Sequence, residues 1–278
     1  QAILGADLEY IRSTLTQHFS DTRHHIANPA YKRVDDNGSG VTAMLESLRQ
    51  IAAGNKGGKR RKNTIIFMAF DHEEYGLIGS KFAIEQWLLP WLTQNYGQQV
   101  ESLKPNGIII LDTVMNYNSS AKSQIIPPEA VKTDYFPETV SSIASDNFQG
   151  DFLATIFRQN LDGFLASTFN SEWLGEPQPE FEIEKFGFPY QDVNEDTWNV
   201  FANLFRSDHV NFWETNIPAI FITDSADFRG QMQQCYHNAC DNLANILTDN
   251  NVRFLGKTAD TIAATLNKLS EAYNQRLV

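Results

Sequence analysis

Short apolar runs rich in β-branched residues alternate along this chain with segments of helical periodicity. The segments Val41–Ala53 and Val252–Tyr273 each place apolar residues on one helical face, which predicts two amphipathic helices. The runs predicted as buried strands are Ala2–Gly5, Thr64–Phe70, Gly107–Leu111 and Ile217–Thr223. Strands separated by helices are typical of α/β proteins, so the sequence predicts an α/β sheet.

The composition fits a soluble folded protein and excludes two classes of partner. The chain has 278 residues, 42% of them hydrophobic and 12% aromatic, which is enough for a sizeable core. Lys and Arg number 22 and Asp and Glu number 34, giving a net charge of −12. This charge argues against a nucleic-acid partner, because such binding depends on cationic contacts. Apolar runs such as 217–222 are far shorter than the roughly 20 residues that cross a bilayer, so we expect no membrane partner.

The chain shows neither an internal repeat nor a linker, so we expect one domain over residues 1–278. Residues 116–205 are less regular and rich in aromatic side chains, with Pro177 and Pro179 among them. Long ordered segments of this kind often form lids or substrate walls. We therefore expect an insertion at about residues 116–205 that lies over the end of the sheet.

Acidic residues are concentrated where predicted strands end. Glu73 and Glu74 follow the second predicted strand, Asp112 follows the third, and Asp36 lies in a Gly-rich turn before a helix. Ligands of open α/β sheets bind at the carboxyl ends of strands. Carboxylates gathered there repel one another unless a cation lies between them, so the pattern predicts divalent metal binding. His237 supplies an imidazole, which favours zinc over magnesium or calcium.

Two cysteines, Cys235 and Cys240, flank this histidine. A disulfide over such a short loop would stiffen it, and disulfides persist mainly in exported proteins. The spacing alone leaves open either a disulfide or two reduced thiols.

Five motifs in order along the chain resemble those of the M28 zinc aminopeptidases, especially the small secreted bacterial members. They are Asp36–Gly40 (DNGSG), Glu73–Ser80 (EEYGLIGS), Leu111–Asp112, Arg206–His209 (RSDH) and Cys235–Asp241 (CYHNACD). The resemblance covers nearly the whole chain apart from the segment 116–205. It implies a three-layer α/β/α zinc-peptidase fold with a mostly parallel mixed central sheet.

The resemblance also implies a set of metal ligands for two zinc ions. Asp36 is similar to the carboxylate that bridges the two ions. Asp112 resembles a ligand of the first ion, whereas Glu74 and His237 resemble ligands of the second.

Three further residues resemble groups of the family that act on the substrate. Glu73 resembles the general base that takes a proton from the attacking water and passes it to the leaving amine. Tyr236 resembles the phenol that hydrogen-bonds the oxyanion. Arg206 matches a substrate-binding position whose backbone helps to hold the α-ammonium group. The pair Asp208 and His209 is interpreted as supporting or core residues and not as direct ligands.

The chain departs from the family at the first zinc ligand. Asp7 occupies the position of the family's histidine, and Glu9 that of the aspartate that orients it. Asp7 can serve as a ligand itself, which makes the first site all-oxygen and more tolerant of other divalent metals. Alternatively, His24 or His25 supplies the missing imidazole, or the enzyme uses one metal only.

Ala2–Gly5 resembles an internal strand of the family, so we expect the chain to be trimmed or to lack edge structure that relatives possess. We expect a metal-dependent aminopeptidase that takes peptides as substrates, prefers large apolar first residues, uses two zinc ions and is secreted or periplasmic. A catalytically impaired binding protein, a one-zinc glutaminyl cyclase-like enzyme and a metallocarboxypeptidase are the alternatives. The last would need a cation such as Arg206 or Arg229 for the substrate carboxylate.

Overall fold

The computed structural model of the protein describes residues 33–97, 105–132 and 134–274. Six strands lie in these ranges: β1 (Lys59–Arg60), β2 (Ile108–Leu111), β3 (Phe152–Arg158), β4 (Glu182–Phe188), β5 (Ala219–Thr223) and β6 (Tyr273–Asn274). The central sheet has the order β2-β5-β3-β4, and β1 pairs with β6 in a separate antiparallel ribbon. Strand β2 is parallel to β5 and β3 to β4, whereas β3 and β5 are antiparallel. The sheet is therefore mixed and mostly parallel, as predicted.

Helices cover both faces of this sheet. They are α1 (Gly40–Lys56), α2 (Ile78–Ala83), α3 (Leu89–Tyr96), α4 (Pro128–Lys132), α5 (Pro137–Ser145), α6 (Gly163–Gly175), α7 (Glu195–Phe201), α8 (His209–Glu214), α9 (Met232–Cys235), α10 (Leu243–Ile246) and α11 (Asp249–Leu269). An irregular π-helical turn at Val34–Ser39 leads into α1, and a second one at Ile84–Leu88 joins α2 to α3. Short 3₁₀ turns lie at Glu73–Tyr75, Ala202–Phe205 and Ala226–Phe228.

Alternate residues of each central strand enter two separate cores. On β5, Ile220 and Ile222 pack with α1, α6 and α11, whereas Ala219 and Phe221 pack with the helices of the other face. This alternation follows from the two-residue period of a strand. Each such aliphatic side chain contributes about 1.5–3 kcal/mol through its burial. The result is the expected three-layer arrangement of helices, sheet and helices.

Both predicted helices are confirmed, as α1 and α11. The strands predicted at Gly107–Leu111 and Ile217–Thr223 are confirmed as β2 and β5, whereas Ala2–Gly5 lies outside the described residues. The strand predicted at Thr64–Phe70 is wrong for this structure, in which Ile66 is 43% exposed. A strand needs a hydrogen-bonded neighbour, and among the residues that the structure describes this segment has none.

The segment 116–205 differs from its prediction. It contains β3 and β4, which are two of the four strands of the central sheet. The strands β3 and β4 are therefore not the predicted insertion over the end of the sheet but part of the sheet itself. Their apolar residues belong to both cores. The count of one domain stays a prediction.

Candidate metal centre

Four segments meet at the end of the sheet where β2 and β5 terminate. The turn before α1 carries Asp36, and the 3₁₀ turn before α2 carries Glu73 and Glu74. Asp112 follows the last residue of β2, and His237 lies just beyond α9. Parallel strands end at one edge of a sheet, which is why residues so distant in sequence can converge.

Asp36, Glu74 and His237 form a compact set of possible metal ligands. One ligand atom from each lies within 4.8 Å of those of the other two. The His237 Nε2 atom is 3.3 Å from Asp36 Oδ2 and 3.2 Å from Glu74 Oε2. Asp36 Oδ2 is excluded from solvent and has no hydrogen-bond partner among the described residues. Two carboxylates and an imidazole are donors that suit zinc, so these residues fit a divalent metal ion.

The electrostatics of this set also favour a bound cation. Burial, and then the charge of Glu74, raises the pKa of the Asp36 carboxyl to about 7. Burial lowers the pKa of His237, which favours the neutral imidazole that a metal requires. Arg33 contacts the Glu74 carboxylate, and its Nη1 atom is 3.7 Å from Asp36 Oδ2. A cationic group therefore already lies against the two acids.

The structure does not bring Asp112 into this set of three, although it places Asp112 nearby. Burial, followed by the charges of Asp36 and Glu73, raises the pKa of Asp112 well above its usual range. Asp7, Glu9, His24 and His25 lie outside the described residues. The predicted ligands of the first ion, Asp7 and Asp112 with the bridging Asp36, therefore stay a prediction.

Glu73 is a half-buried carboxylate next to the candidate ligands. Burial, and then repulsion from Glu74 and Asp208, raises its pKa to about 7. A carboxylate with a pKa near neutrality is well suited to accept and return a proton. The structure thus places a candidate base beside the candidate metal.

Tyr236 and Arg206 lie together beside the ligand set. The Tyr236 ring stacks on His237 with 3.9 Å between centroids, and burial raises the pKa of its phenol. The Arg206 guanidinium is 5.1 Å from the Tyr236 ring centroid, and its Nη1 atom is 2.7 Å from Asp227 Oδ1. The ion pair with Asp227 partly neutralises this guanidinium, which weakens its attraction for a substrate carboxylate.

An apolar pocket of about 650 Å³ adjoins the site. Asp112, Arg206 and Tyr236 contribute to its lining. Its apolar wall includes Ile143, Phe152, Ala154, Ile156 and Phe186. A mostly apolar lining with a few polar groups is typical of small-molecule sites.

Asp208 and His209 are supporting and core residues, as predicted. His209 is fully buried, its Nε2 atom is 2.9 Å from the Leu204 carbonyl oxygen, and burial lowers its pKa to about 3. Asp208 accepts a hydrogen bond from the Ser80 hydroxyl. Neither belongs to the ligand set.

Cys235 and Cys240 form a disulfide, which resolves the alternative that the spacing left open. The bridged loop contains both Tyr236 and His237, and His237 has a φ of 58°. A non-glycine residue in this left-handed region is uncommon and requires its surroundings to hold it. The bridge therefore stabilises the conformation that presents the imidazole.

Asp241, for which the sequence predicts no separate role, joins two parts of the site. Its Oδ1 and Oδ2 atoms accept hydrogen bonds from the backbone N–H groups of Asp35 (2.9 Å) and Asp36 (3.1 Å). Asp241 directly follows the disulfide loop, so its carboxylate fixes the Asp36 turn against the loop that carries His237. Its position just after Cys240 is the only signal that the sequence offered.

We expect Asp241→Ala to weaken metal binding by about 10–100-fold and to destabilise the fold by about 2 kcal/mol, because two hydrogen bonds to a carboxylate are lost. Metal titration and thermal unfolding measure the two effects. Asp241→Asn keeps one acceptor oxygen and should recover part of both. If the alanine variant binds metal as tightly as the unmodified chain, the positioning role of Asp241 is wrong.

The chain is similar to known peptidases in sequence and in fold. The model of peptidase family M28 matches residues 18–152 and 160–265, so the chain belongs to that family. Among solved structures, the LapA aminopeptidase of Legionella pneumophila is similar with a TM-score of 0.53 at 16% identity. BSAP, a zinc aminopeptidase from Bacillus subtilis, is similar with a TM-score of 0.52 at 17% identity. At such identities the likeness concerns the fold.

The chain is shorter than these relatives. The match to LapA covers 86% of this chain and 47% of the LapA chain. The match to BSAP covers 90% of this chain and 45% of the BSAP chain. A probable glutamate carboxypeptidase of Arthroderma benhamiae is 40% identical over 57 residues, which is 20% of this chain and 8% of that protein. Within the described ranges, no helix combines the length and apolar character needed to cross a membrane.

Proposed function

We propose that this protein is a zinc-dependent aminopeptidase that removes N-terminal residues from peptides. The observation that carries the proposal is the position of Glu73, a half-buried acid with a pKa near 7, beside the set Asp36, Glu74 and His237. Membership of peptidase family M28 and the likeness to zinc aminopeptidase folds support it. A binding protein would have no use for a base in this position.

The chemistry that zinc supplies when bound is Lewis acidity, which polarises a carbonyl and lowers the pKa of water. Asp36, Glu74 and His237 would hold one ion, and Asp112 with Asp7 is proposed to complete a second site. Glu73 accepts a proton from the attacking water and then donates it to the nitrogen of the leaving peptide. The Tyr236 phenol, kept protonated by its raised pKa, donates a hydrogen bond to the carbonyl oxygen as negative charge develops there.

The negative charge of the site selects peptides with a free, positively charged N-terminus. Glu73 and Asp112 present carboxylates that attract an α-ammonium group and disfavour a substrate carboxylate. Arg206 is proposed to contribute to this binding through its backbone, because its side chain pairs with Asp227. The apolar pocket beside Asp112 and Tyr236 accepts the side chain of the first residue, which favours large apolar residues.

A carboxypeptidase is the second candidate, because the short match to a probable glutamate carboxypeptidase favours it. Such an enzyme needs a cation for the substrate carboxylate. Arg229 does not supply one, because it is fully buried. Arg33 and Arg206 lie in the site, but each is already paired with an acid.

The proposed location is secreted or periplasmic. A disulfide holds the loop that carries a candidate metal ligand. Such bonds persist mainly in oxidising compartments. In a reducing compartment the Cys235–Cys240 disulfide would not form, and the loop that carries His237 would lose this constraint.

A digest of tripeptides tests the proposed function. The zinc-supplemented chain is given Leu-Ala-Phe with free ends, with an acetylated N-terminus, or with an amidated C-terminus. We expect release of Leu from the free and amidated peptides and none from the acetylated one. Release of Phe that is blocked by amidation would show a carboxypeptidase instead. Release from no peptide by folded, zinc-loaded protein would overturn the peptidase proposal.

The pocket is tested by narrowing it with Ala154→Val. Ala154 lies on β3 and lines the apolar wall, and a β-branched residue suits a strand. We expect kcat/KM for an N-terminal Leu or Phe to fall by about tenfold, because the larger side chain loses its room. An N-terminal Ala substrate serves as the internal control and should be cleaved nearly as before. Equal losses for all three substrates would show that this pocket does not receive the first residue.

A further inference from the structure

A second group of acids converges at the starts of β3 and β4. Asp146 follows the last residue of α5, Asp151 immediately precedes β3, and Glu182 is the first residue of β4. One oxygen from each carboxylate lies within 4.8 Å of an oxygen of the other two. None of the three belongs to the candidate metal centre.

Asp151 is the buried member of this group. Only 8% of the residue is exposed, and its Oδ1 atom is excluded from solvent and has no hydrogen-bond partner within the part of the chain that the structure describes. Its backbone is fixed, because the Asp151 carbonyl accepts a hydrogen bond of 2.9 Å from the Glu182 N–H. The Asp151 carboxylate, one oxygen of which is unpartnered, therefore lies close to two further acids on a backbone that is hydrogen-bonded to β4. An acceptor left unsatisfied in this way is costly, and a ligand that satisfies it is favoured.

The charges around the group point to a cation as that ligand. Among the described residues, no Lys or Arg forms an ion pair with Asp146, Asp151 or Glu182. Burial, and then repulsion from Asp146 and Glu182, raises the pKa of Asp151 to about 6, although the charge of the buried Arg229 opposes the shift. Glu184, which is also buried, is a fourth acid nearby, and burial raises its pKa to about 7.

We propose that Asp146, Asp151 and Glu182 bind a calcium ion that stabilises the fold. The available donors are carboxylate oxygens, which hard cations prefer, and this group offers neither the nitrogen nor the sulfur donors that favour zinc. Calcium accepts irregular geometry and completes its shell with water, whereas magnesium requires nearly octahedral ligands. The ion joins the turn after α5 to the first residues of two central strands. The proposal does not rest on the aminopeptidase function.

Thermal unfolding of the zinc-loaded protein tests the site without any measurement of activity. The protein is freed of calcium by dialysis and heated with about 10 mM CaCl₂, with MgCl₂ or with KCl at equal ionic strength. We expect calcium to raise the unfolding midpoint by about 5 °C above the KCl value, because the ion binds only the native chain. Isothermal titration should give one calcium ion per chain.

Variants assign the effect to this group. Asp146→Asn and Glu182→Gln alter residues that are not fully buried, so both should fold and both should lose the calcium shift. Glu138→Gln removes an exposed acid of α5 outside the group and should keep it. The proposal is overturned if calcium gives no shift, if magnesium gives an equal one, or if the shift persists in both variants.

Discussion

Replacing Glu73 with glutamine is expected to lower kcat by about 10²–10⁴-fold, because an amide of the same shape cannot accept the proton of the attacking water. KM should change less, since the substrate still occupies the pocket and meets Asp112. Zinc content should stay unchanged, because Glu73 is not one of the three residues that form the compact ligand set. A loss of rate without a loss of metal is therefore the signature of the base.

Steady-state kinetics with a Leu-Ala-Phe substrate and metal analysis of the same sample measure these quantities. Glu85→Gln is the matched control, because Glu85 is an exposed glutamate in the neighbouring turn Ile84–Leu88. This control should keep the full rate. If Glu73→Gln cleaves the substrate as fast as the control does, another group is the base and the proposed mechanism is wrong.

The parts of this fold that the sequence could predict are those with strong local periodicity. The helix α11 shows apolar residues on one face over its whole length, and β5 is a short apolar run that is buried on both sides. Both patterns are set by the element itself and by the core that it must enter. Asp112 could be placed at the sheet edge for the same reason, because it follows β2, whereas Glu73 and Glu74 follow a segment that is not a strand.

The strand β4 could not be predicted in this way. Its sequence, EIEKFGF, contains three charged residues and a glycine, which are unfavourable in a strand. Its pairing with β3 along seven residues overrides that preference. Tertiary pairing of this kind is invisible in a local pattern, and for this reason residues 116–205 looked like an insertion.

The supporting contacts of the site were equally hidden. Asp241 acts through backbone N–H groups of residues more than two hundred positions away, and no local pattern reports such a contact. Asp224 accepts hydrogen bonds from the N–H groups of Met115 and Asn116 in the same manner. Side chains that carry the chemistry have a recognisable type and spacing, whereas the residues that hold them are defined only by the folded chain.

Replacing His237 with alanine is expected to reduce zinc affinity by more than about 100-fold and to abolish activity at low zinc concentration. The variant leaves Asp36 and Glu74 as two carboxylates without the imidazole that lies 3.3 Å and 3.2 Å from them. Two acids alone bind zinc poorly and discriminate little among divalent ions. Removal of metal from the unmodified protein with a chelator should cause the same loss, and added zinc should reverse it.

Zinc titration and peptide cleavage across a range of zinc concentrations measure this effect. Gln234→Ala is the control, because Gln234 is exposed and lies in α9 close to the same loop. High zinc should restore part of the activity of His237→Ala, since Glu73 and Tyr236 remain in place, whereas it should not restore Glu73→Gln. This difference separates a residue that holds the metal from one that transfers a proton. A His237→Ala protein that binds zinc as tightly as the control would remove His237 from the metal centre and leave the disulfide loop with a purely structural role.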